Sequence, residues 1–560
     1  MKISYLPTII LIFFLAKASY FSFGKKRISE MPNLIILLAD DLGYGELGCQ
    51  GNDEIPTPHI DGIARKGVRF TQAYVTAPNC SPSRAGLITG KYGTRFGHEF
   101  NPTGAKNEQP GFGLPLSQKT LADSLSIAGY VNGIIGKWHL GGTAPYHPFR
   151  RGFDEFFGFT HEGHYFVPEP WDGTTTWLRR KVLPGGGKGV RTFGKVIYST
   201  HLGNEPDYDA NNPIVRGSQP VQEEEYFTDA ITRESVDFID RHADKPFFLF
   251  VSYNAVHSPL QAADKYMDKF KHIDDIQRRI FAAMLANLDD SVGGIMKKLA
   301  DENLEKDTLV FFLSDNGGHE GPTDNIPLRS RKGSLYNGGL RVPMIVRQPG
   351  TVPSDQVTDS LVHAVDLFPT LMQLADGSTS EILDGISWYD HALDPAGSPR
   401  DREPIFYHFP GYLDNRARPC SVVIKDIDGT RFKLIYNYDY TYDPNTNDDA
   451  IKVLSQPWEL YNITDDISES QNLITGNYWD WLLYGTIADN LASDLAAWLN
   501  QSDPTWNPVQ ALDNGSPVPF PQADAPDVTV PLDQTFRITD HTANRDTLQT
   551  TLQFTSAAGY

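Results

Sequence analysis

Acidic and amide side chains follow two apolar stretches of the 560-residue chain, at points where buried strands would end. They are Asp40 and Asp41, directly after Asn33–Ala39, and Asp315 and Asn316, directly after Thr308–Ser314. The carboxyl ends of parallel strands meet at one edge of an open α/β sheet, so we expect these side chains to lie together. Three carboxylates repel one another unless a cation neutralises them, and all-oxygen ligands favour Ca²⁺ or Mg²⁺ over zinc. Each pair taken alone is more often a helix cap or a turn.

A cysteine begins a second segment whose residue types suit chemistry, residues 80–90. Pro82 fits the first turn of a helix, which places Cys80 just before the helix start, where the helix dipole favours an anion. Arg84 is then about one turn along the same helix and can reach a group at Cys80. A lone cysteine is more often a small buried hydrophobe. The chain has three cysteines, so at least one is unpaired within it.

The order Cys80-x-Pro82-x-Arg84, followed by Thr89-Gly90, resembles the signature of the type I sulfatases, the formylglycine-dependent family of the alkaline phosphatase superfamily. Five further elements match that family in the same order along the chain. They are Asp40-Asp41, Lys137 and His139 within Gly136–Gly141, His257 within Asn254–Pro259, Asp315-Asn316, and Lys332 within Arg331–Gly333. An isolated His is usually structural and an isolated Lys usually solvated, but six elements in one order are not expected by coincidence.

The resemblance implies a metal ion and a modified cysteine. A maturation enzyme would oxidise Cys80 to formylglycine, whose hydrated form is a geminal diol. One Ca²⁺, with Mg²⁺ as the alternative, would be bound by Asp40, Asp41, Cys80, Asp315 and Asn316. The catalytic residues implied are Cys80, Arg84, Lys137, His139, His257 and Lys332.

The resemblance also implies a role for each catalytic residue. One hydroxyl of the diol attacks sulfur in line, while Lys137 and Lys332 hold the sulfate oxygens. Arg84 and Lys137 hold the diol in position. His257 protonates the departing sugar or aryl oxygen, and His139 is the base when the second hydroxyl expels the covalent sulfate. An unmodified cysteine could not complete this cycle, because a thiol has no second hydroxyl.

The chain departs from the family at Asn337, where many relatives carry an acidic residue within the stretch Tyr-x-Gly-Gly. This position is expected to border the site, so the departure concerns the substrate contacts rather than the reaction. The resemblance continues through Val342-Pro343 and is weak beyond about residue 398.

The elements that must position these residues alternate between strands and helices. Near-continuous apolar runs predict strands buried on both faces, at Asn33–Ala39, Val131–Ile135, Phe247–Ser252, Thr308–Ser314 and Val342–Arg347. Helical spacing predicts helices within 227–239, 280–299 and 119–128, the last ended by Gly129. We therefore expect an α/β domain with a large mixed sheet flanked by helices on both faces, the alkaline phosphatase-like fold.

Four regions are expected along the chain: a signal peptide at 1–18, a catalytic domain at 30–397, a smaller α+β domain at 398–512 and an extended tail at 513–560. The first rests on Lys2, an apolar run of ten residues and an Ala-Lys-Ala sequence typical of a signal-peptidase site. That run is too short to span a bilayer, which needs about 20 residues. We expect export to the periplasm or the medium, with a buried N-terminal strand as the alternative.

Short alternating runs predict the smaller domain, and a region without periodicity predicts a long loop. Ser421–Ile427 and Phe432–Tyr440 flank Asp428-Gly429, a hairpin signal, so the smaller domain is expected to contain an antiparallel sheet. An amphipathic segment, Ile487–Leu499, follows. Residues 161–221 show little periodicity and are expected to form a long functional loop.

Charge and composition limit the partners. The net charge of −21, from 49 basic and 70 acidic residues, argues against nucleic acid. Aromatic residues make up 12% of the chain and suit a sugar-binding cleft, and Arg can pair with a carboxylate or a sulfate. The loop residues with these properties are His161, His164, Tyr165, Trp171, Trp177, Arg179 and Arg180, which alternatively serve only to fold the loop.

The leading hypothesis is an exported, Ca²⁺-dependent sulfatase that acts on a sulfated polysaccharide or its oligosaccharides, without stable membrane insertion. One alternative is a phosphodiesterase or phosphonate monoester hydrolase of the same superfamily, which hydrolysis of aryl sulfate against aryl phosphodiester would distinguish. The other is a carbohydrate-binding relative that has lost catalysis, which the mass of the Cys80 peptide would test.

Overall fold

The computed structural model describes residues 31–501 apart from 202–203, 207, 209–210, 320, 398–401, 403, 412, 414–415, 439–453 and 476–477. These residues form the strands β1 (Asn33–Ala39), β2 (Val68–Phe70), β3 (Ala73–Tyr74), β4 (Val131–Lys137), β5 (Glu155–Phe159), β6 (Thr174–Arg179), β7 (Val190–Phe193), β8 (Val196–Ser199), β9 (Val215–Arg216), β10 (Gln219–Pro220), β11 (Phe247–Ser252), β12 (Leu260–Ala263), β13 (Thr308–Ser314), β14 (Met344–Arg347), β15 (Gln356–Thr358), β16 (Val362–His363), β17 (Ile405–Phe409), β18 (Cys420–Ile427), β19 (Thr430–Asn437) and β20 (Trp458–Asn462). The α-helices are α1 (Pro58–Arg65), α2 (Cys80–Thr89), α3 (Leu121–Ala128), α4 (Phe227–His242), α5 (Asp264–Met267), α6 (Ile276–Asp301), α7 (Asn337–Leu340), α8 (Leu367–Leu374), α9 (Tyr389–Leu393) and α10 (Tyr478–Leu499).

The predicted signal peptide (1–18), the predicted tail (513–560) and the chain around the predicted boundary at residue 398 lie outside the described residues. The limits of the four regions therefore stay predictions. Within the described ranges, no helix is both long and apolar enough to cross a membrane.

The largest sheet has ten strands in the order β10-β9-β5-β4-β11-β1-β13-β14-β2-β15. The five strands from β5 to β13 in that order are parallel, whereas β14 runs antiparallel to β13. The register pairs Leu38 of β1 with Ser252 of β11 and with Leu313 of β13. The neighbouring strands therefore end at one level, and the predicted large mixed sheet is confirmed.

Strand β1 is buried on both faces, which explains its uninterrupted apolar sequence. Ile35 and Leu37 pack in one hydrophobic cluster with residues of α1, α4 and α6. Leu34 and Ile36, on the other face, pack with residues of α2, α3 and α8. None of the four side chains is exposed. Helices cover both faces of the sheet, as predicted.

Most element bounds follow the sequence pattern closely. Strands β1, β11 and β13 coincide with the predicted runs, and β4 extends to Lys137. Helix α3 begins at Leu121 rather than at residue 119, because the Thr120 side chain accepts a hydrogen bond from the Asp123 N–H and caps the helix. It ends before Gly129, whose φ of 97° lies in the left-handed region that favours glycine.

Residues 161–221 do not form one long loop, so that prediction is wrong. The region contains β6 to β10: β6, β7 and β8 join β12 in a four-stranded sheet of order β12-β6-β8-β7, and β9 and β10 extend the large sheet. These strands have two to six residues, and β7 is exposed along its whole length. No run of buried apolar residues marks them, which is why periodicity missed them.

The C-terminal part contains the predicted antiparallel sheet, in the order β17-β18-β19-β20. Asp428 and Gly429, both with positive φ, join β18 to β19 as the predicted hairpin turn. One face of this sheet packs on α10, where Leu491 is fully buried. The other face packs on the segment that includes α7, through residues such as Leu340.

Candidate active site

The ends of adjacent parallel strands bring the predicted site residues to one edge of the large sheet. Asp40 and Asp41 follow β1, Asp315 and Asn316 follow β13, Lys137 ends β4 with His139 just after it, and His257 lies beyond β11. Cys80 and Arg84 reach this edge from α2, and Lys332 from the segment between β13 and β14. The structure thus brings together all the residues predicted to bind metal or to take part in catalysis.

Cys80 is the first residue of α2, not the residue before the helix as predicted, because Asn79 has the extended backbone of the N-cap. The side chain is buried, with Sγ 3.6 Å from Asp40 Oδ1 and 3.1 Å from Lys332 Nζ. Burial raises the pKa of the Cys80 thiol to about 12, although the Lys137 and Lys332 ammonium groups oppose the shift. Unmodified Cys80 is therefore a neutral thiol at pH 7 and a weak nucleophile.

Arg84 binds carboxylates rather than the Cys80 side chain that it was predicted to reach. Its Nη2 lies 2.8 Å from Asp315 Oδ2 and 3.5 Å from Asp40 Oδ2, and its Nε donates to Asp315 Oδ2 at 2.9 Å. Nη1 donates to Ser252 Oγ at 2.6 Å. Arg84 therefore fixes the orientation of two of the predicted metal ligands, because the planar guanidinium donates in a rigid fork.

Three buried carboxylates meet three buried cations in the site. Lys137 Nζ donates to Asp40 Oδ2 at 2.6 Å, and Lys332 Nζ lies 2.6 Å from Asp41 Oδ1. Although burial opposes it, the Asp41 carboxylate raises the pKa of Lys332 above its usual value, so that ammonium group stays charged. The formal charges cancel, so a divalent cation would make the site positive and suited to a sulfate anion.

The donor set fits a divalent ion. Asp41 Oδ2 and Asn316 Oδ1 are buried and have no hydrogen-bond partner among the described residues. Ligand atoms of four side chains lie within 4.8 Å of one another, those of Asp40, Asp41, Cys80 and His257. Burial and the Asp40 carboxylate raise the pKa of Asp315 to about 6. Buried carboxylate and amide oxygens without a hydrogen-bond partner are the ligands that a hard ion such as Ca²⁺ binds.

Each of the two predicted histidines carries one unprotonated nitrogen. Nε2 of His139 donates to the Pro102 carbonyl at 2.9 Å, which leaves Nδ1 without a hydrogen-bond partner in the described part of the chain. Nδ1 of His257 donates to the Ser258 carbonyl at 2.5 Å, and Nε2 lies 3.7 Å from Asp41 Oδ2. Burial and the nearby lysine ammonium groups lower the pKa of both rings well below the usual value. Both are neutral at pH 7.

Two serines support the site, and the sequence analysis did not find them. Ser252 Oγ accepts a hydrogen bond from Arg84 and donates to the Lys137 carbonyl at 2.6 Å. Ser81 Oγ donates to the His139 carbonyl at 2.7 Å. Ser252 ends β11, so its position at a strand end was a usable signal. Ser81 occupies a variable position of the cysteine segment and gave none.

Four of the seven residues predicted to contact substrate fall into two pairs. Trp177 and Arg179 of β6 line a pocket beside His257, together with His319. Tyr165 and Trp171 instead pack in a small buried cluster with Leu178 of β6, so they fold this region. The first pair lines that pocket, where Arg179 is paired with Glu205, whereas the second pair serves to fold the region, the alternative given for these residues.

The family model described as Sulfatase matches residues 32–378, more than half of the chain. The chain belongs to the sulfatase family. A second model, described as N-sulphoglucosamine sulphohydrolase, C-terminal, matches residues 331–493. The second match overlaps the segment that carries Lys332 and extends through the antiparallel sheet into α10.

Similar proteins support the same assignment. A protein named Sulfatase from Formosa agariphila is 30% identical over 90% of this chain and 94% of its own length. Human N-acetylgalactosamine-6-sulfatase is 33% identical, covering 69% of this chain and 70% of its own. The crystal structure of Ps i-CgsB, also solved in complex with k-i-k-neocarrahexaose, superposes with a TM-score of 0.69 and is 31% identical, covering 86% of this chain and 94% of that one. The protein is a sulfuric ester hydrolase.

The side chain of Asn337, the position of this sulfatase that was expected to border the substrate site, is fully buried in α7. Its Oδ1 accepts a hydrogen bond from Lys433 Nζ at 3.0 Å, and its backbone N–H donates to Glu469 Oε2 at 2.6 Å. Lys433 Nζ also donates to Glu469 Oε1 at 2.6 Å, and neither side chain is exposed. The C-terminal part thus supplies the acidic group that faces this position, and it fixes the segment five residues beyond Lys332.

Glu469→Ala is expected to lower the free energy of unfolding by about 3–5 kcal/mol, because it leaves the Lys433 charge buried without its partner. Burial already lowers the pKa of Lys433, and Glu469 opposes that shift. Denaturant unfolding measures the change. The double variant Lys433→Met/Glu469→Leu removes both charges and should recover most of the loss. A double variant no more stable than Glu469→Ala would contradict the unpaired-charge explanation.

Proposed function

We propose that this sulfatase is exported, binds Ca²⁺ and removes sulfate ester groups from a sulfated polysaccharide or its oligosaccharides. The main support is the pair of buried ammonium groups of Lys137 and Lys332, set beside carboxylates of which Asp41 retains an oxygen without a partner among the described residues. Fixed cations next to acidic oxygens suit a divalent ion together with a tetrahedral anion.

Cys80 is proposed to be converted to formylglycine by a maturation enzyme. The hydrated aldehyde would supply two hydroxyl groups on one carbon, one to attack sulfur and one to expel sulfate. Support comes from membership of the family and from the neutral state of the buried thiol, which makes unmodified Cys80 a weak nucleophile. Lys332, whose Nζ lies 3.1 Å from Sγ, is placed to hold an oxygen of the substrate next to this residue.

The proposed ligands of Ca²⁺ are Asp40, Asp41, Asp315 and Asn316 together with residue 80. When bound, the ion would polarise the sulfate oxygens and the hydroxyl groups of the modified residue. Arg84 contributes by orientation, because its guanidinium holds Asp315 and Asp40 in place. Lys137 Nζ donates a hydrogen bond to Asp40 Oδ2 and adds a second fixed positive charge.

The two histidines are proposed to divide the proton transfers. Nε2 of His257 is not used in a hydrogen bond to the backbone, unlike Nδ1, so it is the nitrogen that would first take up a proton and then deliver it to the leaving oxygen. Nδ1 of His139 has a free lone pair, because Nε2 donates to Pro102. It is the base proposed to accept the proton of the second hydroxyl at residue 80.

A sulfated polysaccharide is proposed as the substrate for three reasons. Ps i-CgsB, 31% identical to this chain, has been solved with k-i-k-neocarrahexaose, which is an oligosaccharide. Trp177, in the pocket beside His257, provides an aromatic ring that can stack on a sugar face, and Arg179 lines the same pocket paired with Glu205. The predicted signal peptide would deliver the enzyme to the compartment where such polymers occur.

Hydrolysis of an aryl sulfate and an aryl phosphodiester at matched concentrations tests the proposed reaction. We expect a higher kcat/KM for the sulfate ester. A panel of sulfated oligosaccharides then identifies the sugar and the sulfate position. Preferential hydrolysis of the phosphodiester would overturn the proposal in favour of the phosphodiesterase alternative.

His257→Ala is expected to reduce kcat/KM much more for a sugar sulfate than for an activated aryl sulfate, because a sugar alkoxide needs protonation far more than a nitrophenolate does. His139→Ala is expected to slow release of the covalent sulfate and so to impair both substrates similarly. Steady-state kinetics test the first variant, and single-turnover release tests the second. Equal losses on both substrates for His257→Ala would reject its acid role. Accumulation of sulfated enzyme in that variant would mean that the two roles are reversed.

A further inference from the structure

Positive charge is concentrated in one part of this acidic chain. Between Asp172 and Glu205 the sequence contains six Lys or Arg residues and no Asp or Glu, whereas the whole chain carries −21. They are Arg179, Arg180, Lys181, Lys188, Arg191 and Lys195. Arg179 is neutralised by Glu205, with Nη2 2.8 Å from Oε2. The other five lie on residues 180–195, here named the basic hairpin, which contains β7 and the turns on either side of it.

The basic hairpin is exposed and its charges are mostly unpaired. Every residue from 185 to 195 is exposed, and β7 forms the outer edge of its sheet. Lys195 contacts Asp264 at 2.7 Å, on the surface. Lys181, Lys188 and Arg191 form no ion pair with any carboxylate of the described residues. Surface cations without acidic neighbours attract anions over distances of about a Debye length, roughly 8–10 Å.

The basic hairpin is connected to the catalytic site by one continuous sheet. Strand β12 begins three residues after His257, and β6, β8 and β7 follow it in order. With neighbouring strands about 4.8 Å apart, β7 lies about 14 Å from β12. A small aryl sulfate bound beside His257 cannot span that distance. An extended anionic polymer can.

Aromatic rings accompany the cations on the basic hairpin. Phe193 is half exposed and packs edge-on against Tyr198, with ring centroids 6.0 Å apart. The Arg180 guanidinium lies 5.7 Å from the centroid of the Tyr198 ring. Rings beside unpaired cations are the combination that binds sugar faces and sulfate groups together.

We infer that the basic hairpin is a secondary binding surface for a sulfated polysaccharide chain, outside the catalytic pocket. The inference rests on the proposed function, because it gives that surface the same polymer as the catalytic site. The hairpin would hold polymer units remote from the ester that is cleaved. It would therefore raise affinity for long substrates and leave the hydrolysis of small ones unchanged.

A triple variant, Lys181→Gln/Lys188→Gln/Arg191→Gln, tests the inference. Its control is Lys66→Gln/Lys245→Gln/Lys306→Gln, which removes the same charge from exposed lysines just before β2, β11 and β13, at the opposite edge of the large sheet. Binding to dextran sulfate and to neutral dextran is measured by affinity electrophoresis at low and high salt. Hydrolysis of p-nitrophenyl sulfate is measured in parallel, and the oligomeric state by light scattering.

The hairpin variant is expected to bind dextran sulfate about five- to twentyfold more weakly at low salt, from three exposed charge contacts. The difference should disappear at high salt, the control should bind like the wild type, and p-nitrophenyl sulfate hydrolysis should be unchanged in both. The inference would be overturned if the two variants bound dextran sulfate equally, or if the wild type bound neutral dextran as tightly as dextran sulfate. It would also be overturned if the wild type were a dimer, only the hairpin variant were a monomer, and dextran sulfate binding were unchanged. The surface would then bind a second copy of the chain. If neither the wild type nor either variant hydrolysed the aryl sulfate, the proposed function would fail, while the binding of dextran sulfate would still test the hairpin.

Discussion

Cys80→Ala should lower kcat/KM for any sulfate ester by about four to six orders of magnitude, the loss typical of removing a nucleophile. The side chain is buried at the start of α2 and contacts Asp40 and Lys332, so no other group can take its position. The substitution removes only Sγ, and the free energy of unfolding should change by less than about 2 kcal/mol.

The matched control for this prediction is Cys49→Ala, a free cysteine outside the site, which should retain full activity. Mass spectrometry of the peptide containing residue 80 is the decisive measurement. Active enzyme should contain an aldehyde at this position. Thiol alone in fully active enzyme would show that the proposed nucleophile is wrong, whatever the Cys80→Ala variant does.

Exhaustive chelation should abolish activity, and added Ca²⁺ should restore it. The same treatment should lower the melting temperature, because an ion that binds only the folded state stabilises it, by about 2.7 kcal/mol at a concentration 100-fold above its Kd. Elemental analysis should find one ion in each active molecule. Full activity in metal-free protein would contradict the assignment.

The metal prediction has its own pair of variants. Asp315→Asn removes a carboxylate from the proposed site, and it should abolish both activity and the effect of the chelator on the melting temperature. Asp290→Asn is the control, because Asp290 belongs to a second group of possible metal ligands, with exposed His59 and buried Asp289. It should leave both properties unchanged. If Asp290→Asn removed the effect of the chelator, the stabilising ion would lie in the second group.

In the metal-free protein, the contribution of Asp315 to stability should fall as the pH rises, opposite in sign to that of the buried histidines. The pKa of Asp315 is raised to about 6 in the folded protein, mainly by burial, from an ordinary value near 4. At Asp315 the folded state then binds more protons than the unfolded state between these values, so the contribution of this group to the free energy of unfolding falls as the pH passes from about 4 to 6. Thermal unfolding of the wild type and of Asp315→Asn, both with chelator, at pH 5 and pH 7 isolates this contribution, and the wild type should lose stability relative to the variant as the pH rises. A wild type that gained stability relative to the variant would contradict it.

The sequence predicted the elements that carry the site because those elements are buried on both sides. An uninterrupted apolar run such as Phe247–Ser252 has few alternative structures, and the polar residues that follow it must lie at the sheet edge. The predicted metal-binding and catalytic residues therefore meet in the structure. Their individual roles stay predictions, since geometry alone does not assign a proton transfer.

Other features left no readable pattern in the sequence. β7 is exposed at every residue, so nothing in its sequence distinguishes a strand from a loop. The contact of Lys433 with Asn337 joins residues 96 positions apart, and that of Glu469 with Asn337 joins residues 132 apart. Long-range pairing of this kind follows from tertiary packing rather than from local sequence. The carboxylate contacts of Arg84 were missed for the same reason.

The burial of Cys80 has a consequence for the order of events during biosynthesis. Its side chain is only 1% exposed once α2 is packed against the sheet. An enzyme that converts this residue to formylglycine needs access to it, and the finished structure provides almost none. The segment that includes Lys433 and Glu469 is translated more than 300 residues after Cys80. Conversion would therefore have to take place on the nascent or freshly released polypeptide, so the rate of folding would set the time available for it.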